Sequence, residues 1–177
     1  APTKPREIHY HTPEEEIALG PACWLWDYVR RMKGAGFFLP LSGGIDSCAT
    51  AVIVHSMCRL VAEAAKNDNE QVISDARKVA NVQEEDWMTT DPVDLASRIF
   101  HTSYMGTENS STETRSRAKE LSEKVGSYHV DLNMDTLVGA VVNVFQVATG
   151  KKPIFKIFGG SQTENLALQN IQARLRM

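Results

Sequence analysis

The stretch Phe37–Ser47, FFLPLSGGIDS, joins a short apolar run to a glycine pair and a polar loop. The apolar run, residues 37–41, is too short for a helix and is bounded by glycines, which predicts a buried strand. Pro40 cannot donate to a strand ladder, so we expect the ladder to have ended there. The alanine-rich residues 47–66 predict a long helix that is largely buried against the sheet. A strand, a glycine-containing loop and a helix therefore follow one another in this order.

Helical and extended patterns alternate along the rest of the chain. The further expected strands cover residues 99–104 and 128–132, and the further helices cover 111–124, 134–148 and a final stretch that opens with a Ser161-x-x-Glu164 capping box. Strands that alternate with helices imply right-handed crossovers and a parallel sheet. The sequence therefore predicts an α/β fold with a doubly wound parallel sheet.

The N-terminal part predicts an extended lead-in, residues 1–11, followed by a helix. Thr12 is a suitable N-cap, Pro13 suits the first helical position, and Glu14–Glu16 place negative charge at the positive end of the helix dipole. Apolar residues recur at helical spacing over residues 17–32, which indicates an amphipathic helix.

The composition is that of a soluble globular domain, which we place at residues 12–177. Of 177 residues, 42% are hydrophobic and 23% are charged, and a formal net charge of −3 argues against a general nucleic-acid binder. No apolar run approaches the roughly 20 residues that span a bilayer, and the N-terminus lacks a signal-peptide pattern. Three cysteines without metal or disulfide spacing indicate reduced thiols. We therefore expect a cytoplasmic protein without membrane or nucleic-acid partners.

The SGGIDS segment, residues 42–47, has the residue types that bind phosphate. Gly43 and Gly44 lack Cβ atoms, so their backbone N–H groups can approach an anion closely. The helix that follows presents unpaired N–H groups and a positive dipole end to the same anion. Ser42 and Ser47 can add hydroxyl donors. The Asp46 carboxylate would repel phosphate unless a metal ion such as Mg²⁺ bridges the two, which makes Asp46 the expected metal ligand.

The SGGIDS segment differs from a Walker A loop. It lacks the Gly-x-x-x-x-Gly-Lys-Ser/Thr pattern, and no lysine follows its glycines. The segment is therefore better suited to holding the β,γ-pyrophosphate of ATP as a leaving group than to transferring the γ-phosphoryl group. Two glycines alone would fit any tight strand-to-helix turn, but six matching residues in this context favour phosphate binding.

The SGGIDS segment resembles the PP-loop of the ATP-pyrophosphatase superfamily, which includes NAD, GMP and asparagine synthetases and tRNA-thiolating enzymes. Three further stretches narrow this resemblance: Tyr10–Leu25, Phe38–Leu41 and Glu164–Met177. Together they look like the synthetase domain of eukaryotic glutamine-dependent NAD⁺ synthetases, and the resemblance covers nearly the whole chain. It implies an adenine nucleotide alpha-hydrolase-like fold.

The resemblance also implies a reaction. A ligase of this family amidates deamido-NAD⁺ to NAD⁺ with ATP and Mg²⁺. The substrate carboxylate attacks the α-phosphate of ATP, pyrophosphate leaves, and ammonia displaces AMP from the acyl-adenylate. The ammonia comes from solution or from glutamine, through a glutaminase domain.

The site residues follow from the same resemblance. Ser42 corresponds to the ligase-site serine, and the ATP-binding loop corresponds to Pro40, Leu41, Ser42, Gly43, Gly44, Ile45, Asp46 and Ser47. Asn170 and Arg174 correspond to positions that contact the dinucleotide substrate. Their i, i+4 spacing places both on one helix face, away from the apolar residues of that helix.

The chain departs from the resemblance at its ends. The final helix is still periodic at Leu175 when the sequence stops, three strands are few for a doubly wound sheet, and no glutaminase sequence is present. We therefore expect a fragment, the N-terminal portion of an NAD synthetase ATP-binding domain, with a sheet incomplete at its C-terminal side. The unpaired strand edge of such a sheet would favour a homo-oligomer.

Two alternative functions stay open from the sequence. One is a truncated, non-catalytic domain that at most binds a nucleotide. The other is a different PP-loop enzyme, such as a GMP synthetase or a tRNA thiolase. A thiolase would be expected to carry cysteines with metal or persulfide spacing and a basic face, and this sequence has neither.

Overall fold

The computed structural model describes residues 7–84 and 87–176. Its helices are α1 (Pro13–Arg31), α2 (Ile45–Lys66), α3 (Glu70–Val79), α4 (Pro92–Ile99), α5 (Thr112–Val125), α6 (Asp135–Thr149) and α7 (Gln162–Leu175). Its strands are β1 (Phe37–Pro40), β2 (Phe100–Gly106) and β3 (Tyr128–Asn133), and a 3₁₀ turn, Lys156–Phe158, precedes α7. Strands and helices alternate as the sequence predicts.

The strands form one parallel sheet in the order β1-β2-β3. The central strand β2 is the most buried, since Phe100, Thr102, Ser103 and Tyr104 are 0–4% exposed. Thr102 Oγ1 and His129 Nδ1 lie 2.8 Å apart and tie β3 to β2. Burial lowers the pKa of His129, which favours the neutral imidazole in this contact. The predicted α/β fold with a parallel sheet is confirmed.

The edge strand β1 differs from the expected buried strand. Phe38 is 62% exposed, because only alternate side chains of β1 face the core. Pairing also continues past Pro40, since the Leu41 N–H donates to the Ser103 carbonyl at 2.8 Å. Successive backbone nitrogens alternate in direction, so the Pro40 nitrogen points away from β2 and its missing N–H removes no bond to that strand. The expectation that the ladder ends at Pro40 is therefore wrong.

The chain divides into two compact units. The helical unit comprises Ala1–Phe37, Ala49–His101 and Lys124–Tyr128, and the sheet unit comprises Phe38–Cys48, Thr102–Glu123 and His129–Met177. The SGGIDS segment belongs entirely to the sheet unit.

Local capping signals set the start of α1, as the sequence predicts. Thr12 Oγ1 accepts a hydrogen bond from the Glu15 N–H at 3.3 Å, and Glu15 Oε2 accepts one from the Thr12 N–H at 2.9 Å. This reciprocal pair is a capping box. The helix then continues across Pro21 without interruption.

The segment before α1 is described only in part. Residues 7–12 form neither helix nor strand. Residues 1–6 and Met177 lie outside the described residues. The lead-in over residues 1–11 and the domain over residues 12–177 therefore stay predictions.

Only part of the apolar face of α1 is buried. Ala22 and Val29 are 0% and 2% exposed, whereas Ile17, Trp24 and Tyr28 are 65%, 63% and 49% exposed. The rings of Trp24 and Tyr28 stack on each other with centroids 5.2 Å apart. The helical spacing of apolar residues therefore predicts α1 correctly. It does not predict which of those residues are buried in the helical unit.

Helix α2 supplies much of the core of the helical unit. Val54, Met57 and Val61 are 0–3% exposed, and burial raises the pKa of the Cys58 thiol to about 12. By length and composition, α2 could also cross a bilayer, a test that core helices of globular proteins pass too. The expectation that no apolar run reaches this length is therefore wrong. Of the apolar window in α2 that passes this test, 33% is buried.

Candidate functional site

The SGGIDS segment turns the chain from β1 into α2. Helix α2 begins at Ile45, two residues before the predicted start at Ser47, so Asp46 lies in its first turn. Ser42, Ile45 and Asp46 are exposed. The polar atoms of the segment therefore lie at the surface of the sheet unit, at the carboxyl end of β1.

Gly43 is the position that fixes the shape of this turn. Its φ is +75°, a conformation that side chains other than glycine rarely adopt, and a Cβ atom there would lie 2.1 Å from the Thr114 carbonyl oxygen. At Gly44, a Cβ atom would meet only Ser42 Oγ, at 3.3 Å. Backbone geometry therefore requires glycine at position 43. At position 44 there is more room for a side chain, because only one side-chain atom lies near the position of a Cβ atom.

The serine hydroxyls hold the turn in place. Ser42 Oγ lies 3.0 Å from Ser47 Oγ and accepts a hydrogen bond from the Gly44 N–H at 3.3 Å. Ser47 Oγ donates to the Gly44 carbonyl at 3.0 Å and accepts from the Ser42 N–H at 3.3 Å. The two hydroxyls that the sequence assigns to phosphate binding thus also brace the segment from within.

The amino terminus of α2 presents backbone donors at this turn. The first hydrogen bond within the helix runs from the Cys48 N–H to the Gly44 carbonyl, at 3.1 Å. In general, the first N–H groups of a helix lie outside its ladder of hydrogen bonds to the carbonyl four residues before. Such groups, together with the positive end of the helix dipole, are able to bind an anion such as phosphate.

A cleft of about 310 Å³ lies beside the turn, within the sheet unit. Its walls are the carboxyl ends of β1 and β2, the start of α5 and one residue that follows α7. The lining residues are Pro40, Leu41, Ser42, Ser103, Tyr104, Met105, Ser110, Ser111, Thr114 and Arg176. The carboxyl ends of neighbouring parallel strands are where open α/β sheets bind their ligands.

The sequence predicted only part of the cleft. Of the predicted site residues, Pro40, Leu41 and Ser42 line it. Tyr104 and Arg176 were not predicted. Tyr104 could have been found from its position near the carboxyl end of the second strand. Nothing in the local sequence distinguishes Arg176 from other arginines at helix ends.

Two arginines of α5 are already paired. Arg115 Nε lies 3.5 Å from Asp131 Oδ2, and its guanidinium lies 5.4 Å from the centroid of the Tyr104 ring. Arg117 pairs with Glu113 at 2.6 Å. Tyr104 in turn places its hydroxyl 3.1 Å from Thr114 Oγ1. The contacts of Tyr104 with Thr114 and Arg115 link α5 to β2, and the Arg115–Asp131 pair links α5 to β3.

Helix α7 begins with the predicted capping box. Ser161 Oγ accepts from the Glu164 N–H at 3.2 Å, and Glu164 Oε2 accepts from the Ser161 N–H at 2.7 Å. The latter bond holds the pKa of the Glu164 carboxyl below its usual value. After the helix, Arg176 Nε donates to the Met105 carbonyl at 3.0 Å, so the end of α7 meets the end of β2.

The two predicted dinucleotide contacts lie on α7 but not in the cleft. Asn170 and Arg174 are exposed and one helical turn apart. Neither is among the residues that line the cleft beside the turn. Of the residues assigned to ATP, Pro40–Ser42 line the cleft, whereas the two residues assigned to the second substrate lie exposed on α7 outside it.

Asp46 can contribute to a metal site but cannot form one by itself. Its carboxylate is exposed in the first turn of α2, and among the described residues it belongs to no group of three or more possible metal ligands. Mg²⁺ is commonly held by one or two carboxylates together with phosphate oxygens and water. A single carboxylate beside an anion-binding turn fits that mode of binding.

The family model and the relatives that this chain matches all indicate the same protein family. The NAD synthase family model matches residues 21–177. The chain is 73% identical to the glutamine-dependent NAD(+) synthetase of Saccharomyces cerevisiae, over 99% of this chain and 24% of that protein. It is 54% identical to the human glutamine-dependent NAD(+) synthetase, again over 99% of this chain and 24% of the relative. The chain therefore spans about a quarter of the length of these relatives.

Solved structures share the fold. A glutamine-dependent NAD(+) synthetase from Cytophaga hutchinsonii aligns with a TM-score of 0.76 and 24% identity, over 91% of this chain and 27% of that one. The enzyme from Acinetobacter baumannii, solved in complex with ADP, aligns with a TM-score of 0.61 and 20% identity, over 97% of this chain and 23% of that one. These likenesses confirm the predicted adenine nucleotide alpha-hydrolase-like fold. Because the family model covers all but the first 20 residues, the chain belongs to the NAD synthase family.

Proposed function

We propose that the full-length protein amidates deamido-NAD⁺ to NAD⁺ through an acyl-adenylate, with AMP and pyrophosphate released. The observation that carries this proposal is the turn at Gly43. Its φ of +75° and its close approach to α5 hold the start of α2 beside a cleft, which supports an anion-binding role for that helix terminus. Membership of the NAD synthase family supplies the reaction class.

ATP is the nucleotide that this arrangement suits. Its pyrophosphate would bind at the SGGIDS segment, where the α2 amino terminus and the hydroxyls of Ser42 and Ser47 supply donors. Its nucleoside would occupy the cleft between the ends of β1 and β2. The ADP bound in the Acinetobacter baumannii protein supports an adenine nucleotide as a ligand.

The chemistry then follows from charge. A carboxylate oxygen of deamido-NAD⁺ attacks the α-phosphorus, a new O–P bond forms, and pyrophosphate leaves with the electron pair of the broken bond. Negative charge grows on the pyrophosphate, and donors fixed around Ser42 stabilise it there without reorganising. Ammonia next attacks the acyl carbon and AMP leaves, which forms the amide. We assign Ser42 as the catalytic serine on this basis.

The proposed metal is Mg²⁺, with Asp46 as its protein ligand in this chain. When bound, Mg²⁺ would neutralise part of the charge on the phosphates. Asp46 itself would otherwise repel the phosphates, so its position in the first turn of α2 is best explained by a shared cation.

We assign the second substrate to α7. The exposed side chains of Asn170 and Arg174 lie on one face of that helix, one turn apart. An amide and a guanidinium at this spacing suit a ribose hydroxyl and a phosphate of the dinucleotide.

Further partners in this proposal are a glutaminase domain in the full-length protein and a second copy in a homo-oligomer. The proposed compartment is the cytoplasm.

The two alternatives now have unequal support. The family model and the relatives favour an NAD synthase over a GMP synthetase or a tRNA thiolase. The non-catalytic alternative applies to the 177 residues by themselves, because they span only 24% of the yeast relative.

We expect the full-length protein to form NAD⁺ from deamido-NAD⁺, ATP and Mg²⁺, with either ammonium or glutamine as the nitrogen source. Chromatography of the products should show AMP and pyrophosphate in amounts equal to NAD⁺. Residues 1–177 alone should show little or no turnover. Release of ADP and phosphate, or no NAD⁺ with either nitrogen source, would contradict the proposed reaction.

Gly43→Ala should lower kcat/KM for ATP by about a hundredfold, because the displaced turn misaligns the pyrophosphate. Gly44→Ala is the matched control, since its Cβ meets only a serine hydroxyl, and it should lower kcat/KM by less than about tenfold. Steady-state kinetics test this, with circular dichroism to show that both variants fold. Equal losses in the two variants would argue against the role given to Gly43.

Asp46→Asn should raise the Mg²⁺ concentration needed for half-maximal activity by roughly tenfold or more, because a charged ligand is lost. Glu63→Gln removes the same charge from an exposed position further along α2 and serves as the control. Titration of activity against Mg²⁺ at saturating ATP measures the effect. An unchanged Mg²⁺ dependence in Asp46→Asn would exclude Asp46 as a ligand.

A further inference from the structure

A cluster of three possible metal ligands lies in the helical unit, apart from the SGGIDS segment. It consists of His9, His11 and Glu15, whose ligand atoms all lie within 4.8 Å of one another. The two imidazole rings meet edge to face with centroids 4.8 Å apart, and His11 Nδ1 lies 3.6 Å from Glu15 Oε2. All three residues are exposed, so an ion could reach them from solvent.

The local structure orients both the two histidines and the glutamate of this cluster. His9 and His11 are two residues apart, and their ring contact places them on the same side of the segment that leads into α1. Glu15 is held by the capping box, in which its Oε2 accepts from the Thr12 N–H at 2.9 Å. That bond turns the carboxylate back from the helix toward the residues that precede it. The cluster is thus set by the start of α1.

The local charge favours a cation. Residues 7–16 contain Glu7 and Glu14–Glu16 but no lysine or arginine. Three of these carboxylates lie in the first turn of α1, where they offset the positive end of the helix dipole. An incoming divalent ion therefore meets net negative charge at this helix terminus.

We propose that His9, His11 and Glu15 form a binding site for a divalent transition metal of the Zn²⁺ class. Two imidazoles and one carboxylate are a ligand set that Zn²⁺ uses, with water in the fourth tetrahedral position. The ligand atoms of a tetrahedral zinc site lie about 3.3 Å apart. Small rotations of these exposed side chains would bring their ligand atoms from the present separations to that distance. Imidazole ligands favour Zn²⁺, Cu²⁺ or Ni²⁺ over Mg²⁺.

The site has a structural consequence. A metal bound here would join the segment before α1 to the first helical turn and fix the direction in which the chain reaches the helix. Its ligands are separate from the residues assigned to ATP, so the site does not depend on the proposed ligase activity.

The test uses the full-length protein, purified without a histidine tag and stripped with a chelator. Titration calorimetry with Zn²⁺ should show one more bound equivalent for the wild type than for His11→Ala, with Mg²⁺ in excess throughout. Co²⁺ in place of Zn²⁺ should give tetrahedral visible absorption that is stronger in the wild type than in the variant. Equal stoichiometry in the two proteins would overturn the proposal.

Two glutamine variants separate ligation from bulk charge. Glu15→Gln keeps the capping box, because glutamine also serves at this position, but it removes the charged ligand. It should weaken Zn²⁺ binding at least about tenfold. Glu14→Gln removes the same charge one residue away and should change affinity by less than about threefold. Equal effects of the two variants would show that the cluster attracts cations by charge alone, and would also overturn the proposal.

Discussion

The site in the sheet unit depends on one close approach between two backbone segments. The turn after β1 comes so near to the Thr114 carbonyl of α5 that a Cβ atom at Gly43 would lie 2.1 Å from that oxygen. Only glycine fits there, and its φ of +75° is one that glycine adopts without strain. This approach directs the start of α2 and places the first turn of α5 beside the end of β1.

Several properties follow from that geometry. The hydroxyls of Ser42 and Ser47 lie 3.0 Å apart and brace the turn beside the α2 amino terminus, to which we assign the anion. The central strand β2 ends at the same cleft, and Arg176 reaches its Met105 carbonyl. Donors held in place before a ligand arrives would suit the stabilisation of charge that grows in the reaction that we propose.

The features that the sequence predicted correctly are mostly local. Thr12 with Glu15, and Ser161 with Glu164, cap helices through contacts three residues apart, so their positions could be inferred from the letters alone. The glycine pair likewise indicated the tight turn between β1 and α2, whereas phosphate binding at that turn stays a prediction. Membership of the NAD synthase family was inferred from a resemblance and confirmed by comparison.

The features that the sequence did not predict depend on contacts between distant residues. Phe38 was expected to be buried and is 62% exposed, because the sheet buries only alternate side chains of β1. Trp24 follows the helical spacing of α1 and is nevertheless 63% exposed. Arg176 lines the cleft through a bond to a residue 71 positions away, which no local pattern encodes. Apolar periodicity identifies a helix but not the surface that covers it.

The central claim is that the carboxylate of deamido-NAD⁺ attacks the α-phosphorus of ATP. Deamido-NAD⁺ whose carboxylate carries the heavy oxygen isotope tests this claim most directly in the full-length protein. Mass spectrometry of the products should find one labelled oxygen in AMP and none in pyrophosphate, because the bridging oxygen leaves with AMP when ammonia attacks. Label in inorganic phosphate, or unlabelled AMP formed together with NAD⁺, would contradict the account.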